Sequence, residues 1–420
     1  MPARGMQPAD GREGIESYSK IRAYTERICE PLETDDYQLQ SILETSPPKW
    51  HIAHVTWFFE TFLLLPYLPG YKPFHPRFAY LFNSYYETVG SMHPRPQRGM
   101  LSRPSVTSIY EYRTYVDEQM SALLSSLNGD YGEEILFRLN LGLNHEQQHQ
   151  ELLFMDIKHN FFVNPLKPIY RQDLVQIRLD GRPLNWLAYE GGVYSIGADD
   201  RGFHFDNETP RHRVLLNDYW LADRLVTNGE YLEFMEDGGY SDPRLWLADG
   251  WSLIHQRNWR HPLYWIDEEG GWQEFTLGGV RSLDLSQPLA HLSYYEADAY
   301  ARWAGKRLPS EGELEWALAA QPVEGNFADN EFLHPKPATD AGQWYGDLWN
   351  WTASPYSAYP GFKPLDGSIG EYNGKFMANQ MVLKGGSCAT PGGHVRASYR
   401  NFFYPHDRWA FCGLRLAEDG

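Results

Sequence analysis

Cysteine is scarce in this chain of 420 residues, which contains only Cys29, Cys388 and Cys412. Three cysteines are too few for a disulfide framework, and their wide spacing excludes a Cys-x-x-Cys zinc ribbon. The sequence also lacks the run of about 18 apolar residues that a membrane-spanning helix needs. Its N-terminal segment lacks the apolar core of a signal peptide. We therefore expect a cytoplasmic protein with reduced thiols and no membrane partner.

Positive charge is also limited. The 37 Lys and Arg residues are outnumbered by 55 Asp and Glu residues, so the formal net charge is -18. A protein that binds the phosphate backbone of a nucleic acid needs clustered basic residues, and no long basic run is present. We therefore expect no nucleic-acid partner, and we interpret the negative charge as a contribution to solubility.

Aromatic residues, by contrast, are abundant. The 15 Trp, 28 Tyr and 21 Phe residues make up 15% of the chain. Because disordered chains are poor in aromatic residues, this composition predicts a fully folded protein. At roughly 150 residues per domain, the length predicts two or three domains.

The first part of the chain is predicted to be helical. Apolar residues recur there every three to four positions, which is the spacing of a buried helix face. The predicted helices cover residues 14–32, 49–65, 106–127 and 133–162. Four such helices are typical of a bundle. The connection between the second and third, residues 67–104, is rich in Pro, Gly and Tyr, and a loop of that length is usually functional.

The sequence pattern changes near residue 170, where glycine, proline and tryptophan become frequent and apolar runs become short. Short strands are predicted at residues 191–197 and 213–216, and helices at 228–235 and 293–304. We therefore expect an α+β protein. Its predicted domains are a helical one, residues 15–170, and a mixed, loop-rich one, residues 180–420.

The fourth predicted helix contains a candidate metal-binding pair, His145 and His149. Residues four apart share one face of a helix, so both imidazoles can reach the same metal ion. Gln148 lies on almost the same face, where a polar side chain can orient a ligand or a substrate. The pattern therefore predicts a metal site on this helix.

The second predicted helix contains two further histidines, His51 and His54. The inward side chains of a bundle's helices converge, and such cores host metals. Three histidines leave coordination positions open, as in catalytic metal sites. The spacing does not separate His51 from His54, and a three-histidine set suits zinc, copper, nickel or ferrous iron.

These histidine segments resemble a known family. Trp50–His54 and His145–His149 are similar to the N-terminal DinB-like domain of the ergothioneine-biosynthesis sulfoxide synthases. The second half resembles their partner domain, a formylglycine-generating-enzyme-like fold related to C-type lectins, most specifically in Tyr300–Glu311 and Gly346–Thr352. The resemblance covers nearly the whole chain. It implies a DinB-like four-helix bundle followed by a mixed α/β domain rich in irregular loops.

The resemblance also implies a metal and a reaction. The last histidine of the family's Trp-x-x-x-His element is a ligand, so His54, His145 and His149 are expected to hold non-haem Fe(II). The implied reaction uses O2 to join a thiol sulfur to C2 of the imidazole of Nα-trimethylhistidine (hercynine), and it yields a sulfoxide. The implied partners are therefore small molecules, namely hercynine, cysteine and O2.

Two adjacent phenols are the candidate acids of this reaction. Tyr85 and Tyr86 lie in the long connection after the second helix. A consecutive tyrosine pair at this place resembles the cysteine-using branch of the family. The resemblance implies that at least one of the two gives a proton during catalysis.

Other positions are expected to select the thiol. Branches that use γ-glutamylcysteine carry an acidic residue and an arginine after an Arg-Asn pair, where this chain has Phe403 and Asp407. Those departures favour free cysteine as the thiol. Arg95 or Arg98 can pair with the carboxylate of cysteine, because guanidinium offers a bidentate fork.

The pocket for hercynine is expected to include Gln148, Asn401 and Phe402, which resemble family positions that line it. A quaternary ammonium group also favours aromatic faces. A selenoneine synthase-like enzyme would use a selenium donor with hercynine instead of a thiol. A related sulfoxide synthase would act on unmethylated histidine, and such enzymes usually carry an additional methyltransferase domain.

Three alternatives from other classes explain less of the sequence. Formylglycine generation needs a close cysteine pair in the C-terminal domain, whereas Cys388 and Cys412 lie 24 positions apart. A lectin-like binding module without activity has no use for three converging histidines. A DinB-type thiol transferase leaves the second domain unexplained.

Overall fold

The computed structural model describes residues 10–127, 132–174, 176, 179–199, 201–339, 342–371 and 373–420. They form two compact units. The helical unit comprises the chain up to residue 165 together with residues 364–371, and the mixed unit comprises residues 166–363 and 373–420. The predicted α+β class is confirmed by this division into helices and mixed sheet structure.

The helical unit is built on four long helices. Its elements are α1 (Gly11–Cys29), α2 (Pro48–Phe59), a π-helical turn (Glu60–Leu64), α3 (Leu65–Tyr67), α4 (Phe78–Phe82), α5 (Val106–Ser125) and α6 (Gly132–Val163). Both α1 and α2 pack against α5 and α6, as predicted for a four-helix bundle. Within the described part of the chain, no helix has the combined length and apolar character needed to cross a membrane.

Local sequence explains where these helices begin. The Asp10 carboxylate accepts hydrogen bonds from the backbone N–H groups of Arg12 and Glu13 at 2.8 and 3.0 Å, which caps α1. Pro48 occupies the first turn of α2, where its missing N–H costs nothing. The predicted second helix does continue through residue 65, but Glu60–Leu64 is π-helical.

The mixed unit contains four α-helices and fourteen short strands among its described residues. The helices are α7 (Asn228–Glu236), α8 (Ala248–Arg257), α9 (Tyr294–Trp303) and α10 (Glu311–Ala319). The strands are β1 (Trp186–Tyr189), β2 (Gly192–Ile196), β3 (His212–Leu216), β4 (Tyr219–Ala222), β5 (Trp265–Glu268), β6 (Gly271–Thr276), β7 (Gly279–Ser282), β8 (Gly325–Asn326), β9 (Tyr345–Gly346), β10 (Trp349–Pro355), β11 (Met381–Lys384), β12 (Asn401–Phe403), β13 (Cys412–Gly413) and β14 (Ala417–Asp419). The predicted strands correspond to β2 and β3, and the predicted helices to α7 and α9.

The largest sheet of the mixed unit has the order β12-β11-β10-β13. Its strand β12 carries the candidate residues 401–403. The buried ammonium group of Lys384 on β11 lies 2.6 Å from the carboxylate of Glu315 on α10. This ion pair holds α10 on the sheet, since separating the partners would leave a buried charge without compensation.

Candidate metal centre

Helices α2 and α6 bring three histidines together. His54 lies on α2, and His145 and His149 lie one turn apart on α6. One ring nitrogen from each lies within 4.8 Å of the other two, and all three residues are buried. The three residues that the sequence analysis named as ligands therefore form one cluster.

The spacing of His54 and His145 fits a shared metal ion. The Nε2 atoms of His54 and His145 are 3.3 Å apart. Two nitrogen atoms that are each about 2.1 Å from one ion lie roughly 3.0 to 3.4 Å apart at octahedral or tetrahedral angles. The Nδ1–H group of His54 donates to the carbonyl oxygen of Phe82 at 2.6 Å. Nε2 of His54 therefore keeps its lone pair for a metal.

Protonation also favours metal binding here. Burial lowers the pKa of all three imidazoles, that of His145 to about 3. His145 lowers the pKa of His54 and His149 further, because a second positive charge would be close by. The rings are therefore neutral near pH 7, which is the form that binds a metal. Three neutral imidazoles fit a divalent transition metal.

Aromatic rings enclose the histidines. The rings of Trp50 and Trp57 both stack on His54, at centroid distances of 4.5 and 5.6 Å. The ring of Phe58 lies 4.8 Å from that of His145. This packing restricts the imidazoles to few orientations and limits the access of water.

A buried carboxylate anchors α6 beside the cluster. The Glu146 side chain accepts hydrogen bonds from Arg22 at 3.0 Å, Arg113 at 2.8 Å and Thr25 at 2.7 Å. Burial raises its pKa, but the two guanidinium groups outweigh that effect and lower the pKa to about 2. Because these partners lie on α1 and α5, Glu146 fixes the rotation of α6 and turns His145 and His149 toward α2. No sequence pattern predicts this role for Glu146.

The connection after α4 carries the two candidate phenols. Tyr85 has a φ of 69°, which is uncommon for a residue other than glycine and often marks a functional site. Burial raises the pKa of its phenol, but the guanidinium groups of Arg95 and Arg98 outweigh this and lower it. The Tyr85 side chain is half-buried.

Tyr86 has a different environment. Its side chain is 2% exposed and packs on Trp57 and Phe62, at ring distances of 5.6 and 5.1 Å. Its carbonyl oxygen accepts a hydrogen bond from the amide of Asn83 at 3.0 Å. The structure therefore places Tyr86 in the core of the helical unit and Tyr85 beside two arginines.

Arg98 is a buried cation. It lies in the short 3-10 helix Arg95–Met100 and is 3% exposed. Its guanidinium group stacks 3.4 Å from the ring centre of Trp50 and donates to the hydroxyl groups of Ser46 and Ser84, each at 3.0 Å. Among the described residues, its Nε atom has no hydrogen-bond partner. Burial lowers the pKa of Arg98 to about 9.

Arg95 is less enclosed than Arg98. It is half-buried and donates to the backbone carbonyl of Glu44. Both arginines lie close enough to the Tyr85 phenol to lower its pKa. Gln148, the remaining candidate on α6, is half-buried beside His149.

A distant segment holds the tyrosine-bearing connection. Glu371, in the segment 364–371 of the helical unit, accepts hydrogen bonds from the backbone N–H groups of Glu87 at 3.0 Å and Thr88 at 2.9 Å. The hydroxyl of Thr88 donates to the same carboxylate. The predicted domain boundaries place this segment in the second domain, and its contact with residues 87 and 88 could not be predicted because no local pattern links residues so far apart.

Comparison with known proteins identifies both units. The DinB superfamily model matches residues 17–153, and the sulfatase-modifying factor enzyme 1-like domain model matches residues 182–346 and 333–420. The hercynine oxygenase of Mycobacterium tuberculosis is 30% identical over 96% of this chain and 97% of its own length. The chain belongs to the hercynine oxygenase family. The predicted resemblance and two-domain architecture are thereby confirmed.

Other relatives match smaller parts of this member of the hercynine oxygenase family. Ergothioneine biosynthesis protein 1 of Schizosaccharomyces pombe is 28% identical over 52% of this chain and 28% of its own length. The formylglycine-generating enzyme of Streptomyces coelicolor is 30% identical but covers only 38% of this chain and 53% of its own length. Membership of the hercynine oxygenase family makes the chain an oxygenase.

The remaining candidate residues of this family member lie on β12 of the mixed unit. Asn401, Phe402 and Phe403 are all half-buried. The ring of Phe402 stacks on Tyr356 at 4.0 Å, and the Oδ1 atom of Asn401 accepts the Phe402 backbone N–H at 3.0 Å. Phe403 lies edge-on to Trp409 at 5.6 Å.

Proposed function

We propose that this oxygenase is a non-haem Fe(II), O2-dependent sulfoxide synthase of ergothioneine biosynthesis. It joins the sulfur of cysteine to C2 of the imidazole of hercynine. One oxygen atom of O2 ends on the sulfur, and the other leaves as water with the two displaced hydrogen atoms. The observation that carries this proposal is the buried cluster of three neutral histidines on α2 and α6, in a chain of the hercynine oxygenase family.

His54, His145 and His149 would hold the iron. Three imidazole ligands leave coordination positions open, and Fe(II) bound there would supply a template for the thiol, the imidazole and O2. The surrounding rings of Trp50 and Trp57 stack on His54. They would keep the ligands aligned and the site dry.

Tyr85 is the proposed proton donor. Arg95 and Arg98 lower the pKa of its phenol, which makes its Oη–H a stronger acid. The same positive charges would stabilise the phenolate that remains after the proton has moved to a developing oxyanion. Tyr86 is the weaker candidate, since its ring is packed in the apolar core.

Arg98 is proposed to bind the carboxylate of cysteine. A buried guanidinium group normally has a carboxylate partner, but no carboxylate lies within ion-pair distance of Arg98 among the described residues. Its Nε–H is also unused there. An anionic substrate group would satisfy both the charge and this donor. Arg95, which is half-buried, is the second candidate.

Free cysteine is proposed over γ-glutamylcysteine. Phe403 is uncharged and packs against Trp409, so it offers nothing to the amino group of a dipeptide. Asp407 is buried, and its carboxylate accepts the backbone N–H of Tyr404 at 3.0 Å. It has no positive charge for the carboxylate of a dipeptide.

Gln148, Asn401 and Phe402 are the side chains proposed to recognise hercynine, as the family resemblance implies. Gln148 is adjacent to the ligand His149 and can hydrogen-bond a polar substrate group. The aromatic face of Phe402 suits a trimethylammonium group. The amide of Asn401 provides a donor and an acceptor for the polar end of the substrate.

An anaerobic binding and turnover experiment tests this function. The metal-free chain is loaded with Fe(II), then hercynine and cysteine are bound before O2 is admitted, and the products are identified by mass spectrometry. We expect hercynylcysteine sulfoxide, with less product from γ-glutamylcysteine. A selenosugar in place of cysteine tests the selenium alternative. A zinc-bound protein that neither consumes O2 nor binds hercynine would contradict the proposal.

A further inference from the structure

The histidine left out of the ligand cluster is tied to it by hydrogen bonds. His51 lies on α2 and is 2% exposed. Its Nδ1 atom is 2.7 Å from Nδ1 of His149, and its Nε2 atom is 2.9 Å from Oδ2 of Asp156. Asp156 lies further along α6, on the C-terminal side of His149, and is also 2% exposed. A hydrogen-bonded chain therefore runs from the ligand His149 through His51 to Asp156.

The chemistry of the three groups sets the order of protons along this chain. The Oδ2 atom of Asp156 already accepts the backbone N–H of Ser46 at 2.8 Å, so it is an acceptor toward His51 as well. Nε2 of His51 must then carry the proton. In a neutral imidazole the other nitrogen is an acceptor, so Nδ1 of His51 accepts the Nδ1–H of His149. The lone pair of His149 is thereby left on Nε2.

A single hydrogen bond fixes the tautomer of His54 in the same way. Its Nδ1–H donates directly to the carbonyl oxygen of Phe82 at 2.6 Å, which also leaves the lone pair on Nε2. A carbonyl can only accept, so it defines the tautomer without help. An imidazole can accept or donate, so His51 defines the tautomer of His149 only if a further acceptor fixes its own proton. Asp156 is that acceptor.

We propose that His51 and Asp156 are positioning residues that hold His149 in the Nδ1–H tautomer and present its Nε2 atom to the metal. Such outer partners of ligand histidines orient the ring and strengthen binding. The inference rests on the metal centre of the proposed function. It adds two residues to that centre that do not touch the metal.

The first test measures the affinity of the metal-free full chain for Co(II) alone, followed by its visible absorption. His51→Leu removes the acceptor, and we expect about 10- to 100-fold weaker binding. His51→Asn has a smaller side chain but keeps an acceptor oxygen near the position of Nδ1, so it should recover most of the loss. His159→Leu is the matched control, because His159 is a buried histidine on α6, the helix of His149 and Asp156, and bonds Ser41 instead, at 2.6 Å. It should bind Co(II) as the wild type does.

A second readout reports the tautomer without any metal. In the 15N-histidine-labelled, metal-free chain, NMR should show His149 protonated at Nδ1 and His51 at Nε2. His51→Leu should turn His149 into a mixture of tautomers. Asp156→Leu should weaken Co(II) binding to a similar degree, and the double variant should be no worse than either single variant. If the two substitutions caused independent packing defects instead, their losses of Co(II) affinity would add in the double variant.

The outcomes separate this inference from the metal centre itself. If His54→Ala abolishes Co(II) binding while His51→Leu binds as tightly as the wild type with an unchanged His149 tautomer, the positioning role is wrong and the metal centre stands. If the wild type binds no Co(II), the metal centre fails and the inference fails with it. Far-UV circular dichroism verifies that each variant is folded, and His51→Asn provides the comparison should His51→Leu not fold.

Discussion

Loss of the Glu146 carboxylate should destabilise the helical unit strongly. The side chain is fully buried and holds Arg22, Arg113 and Thr25 through hydrogen bonds of 2.7 to 3.0 Å. Glu146→Gln preserves the shape of the side chain. It removes the negative charge and turns an amide N–H2 toward a guanidinium group, which can only donate.

Two estimates of the stability lost in Glu146→Gln agree. Although burial raises the pKa of Glu146, Arg22 and Arg113 lower it from the usual 4.5 to about 2. Because one pKa unit corresponds to about 1.4 kcal/mol, the ionised carboxylate stabilises the folded state by about 3 kcal/mol. Removing one partner of a buried ion pair costs about 3 to 5 kcal/mol. We therefore expect Glu146→Gln to lower the free energy of unfolding by about 3 kcal/mol.

Urea unfolding followed by far-UV circular dichroism measures this loss. The matched control is Glu134→Gln on the same helix, since Glu134 forms an exposed pair with Arg138 at 2.6 Å. That pair is worth less than about 0.5 kcal/mol. The reasoning is refuted if the two variants unfold at the same urea concentration at neutral pH.

The pH dependence provides a second check. The pKa of Glu146 is lower in the folded state, so its contribution is fully present above the usual value of 4.5 and is lost as the pH falls toward about 2. The difference in stability between the wild type and Glu146→Gln should therefore be constant near pH 7 and shrink below 4.5. A difference that does not change on acidification would show that the charge is not its cause.

Three further predictions concern the active centre. His149→Ala should lose stoichiometric Fe(II), measured by elemental analysis. The control His75→Ala, at an exposed histidine, should keep it. Iron retained by His149→Ala would refute the ligand assignment. Tyr85→Phe should slow sulfoxide formation by about 100-fold and divert cysteine toward simple thiol oxygenation. Tyr86→Phe should cause a smaller change. Unchanged product ratios in both variants would refute the proton-donor role. Arg98→Gln should raise KM for cysteine by about 10- to 100-fold without changing KM for hercynine, and equal effects on both KM values would point to a general packing defect.

The helical elements could be predicted because their signals are local. The apolar spacing of residues 106–127 corresponds to α5 (Val106–Ser125), and that of 133–162 corresponds to α6 (Gly132–Val163). Hydrogen bonds within a helix join residues four apart, so spacing along the sequence is enough to reveal them. The same rule placed His145 and His149 on one face.

The choice between His51 and His54 depended on packing. Three residues along a helix correspond to roughly 60° of rotation between side chains, and both directions remain within reach of a neighbouring helix. In the structure, Nε2 of His54 lies 3.3 Å from His145, while His51 contacts Asp156 and the far nitrogen of His149. The family resemblance named His54, and the spacing alone did not.

Tyr85 and Tyr86 were equivalent in the sequence but not in the fold. The left-handed backbone at Tyr85, with φ of 69°, lets the two adjacent side chains enter different surroundings. One lies near Arg95 and Arg98, and the other lies in the core. A backbone conformation of this kind is imposed by surrounding contacts, so residue types alone do not reveal it.

The sequence alone predicted the helix periodicity, the histidine pair on α6 and the two-domain organisation. Each of these depends on residues close together in sequence or on motifs of several consecutive residues. The partners of the site could not. Glu371 meets Thr88, Arg113 meets Glu146, and Asp156 meets His51 only after the helices have packed. These contacts join side chains that many residues separate, so their energies depend on three-dimensional proximity, which the tertiary structure alone provides.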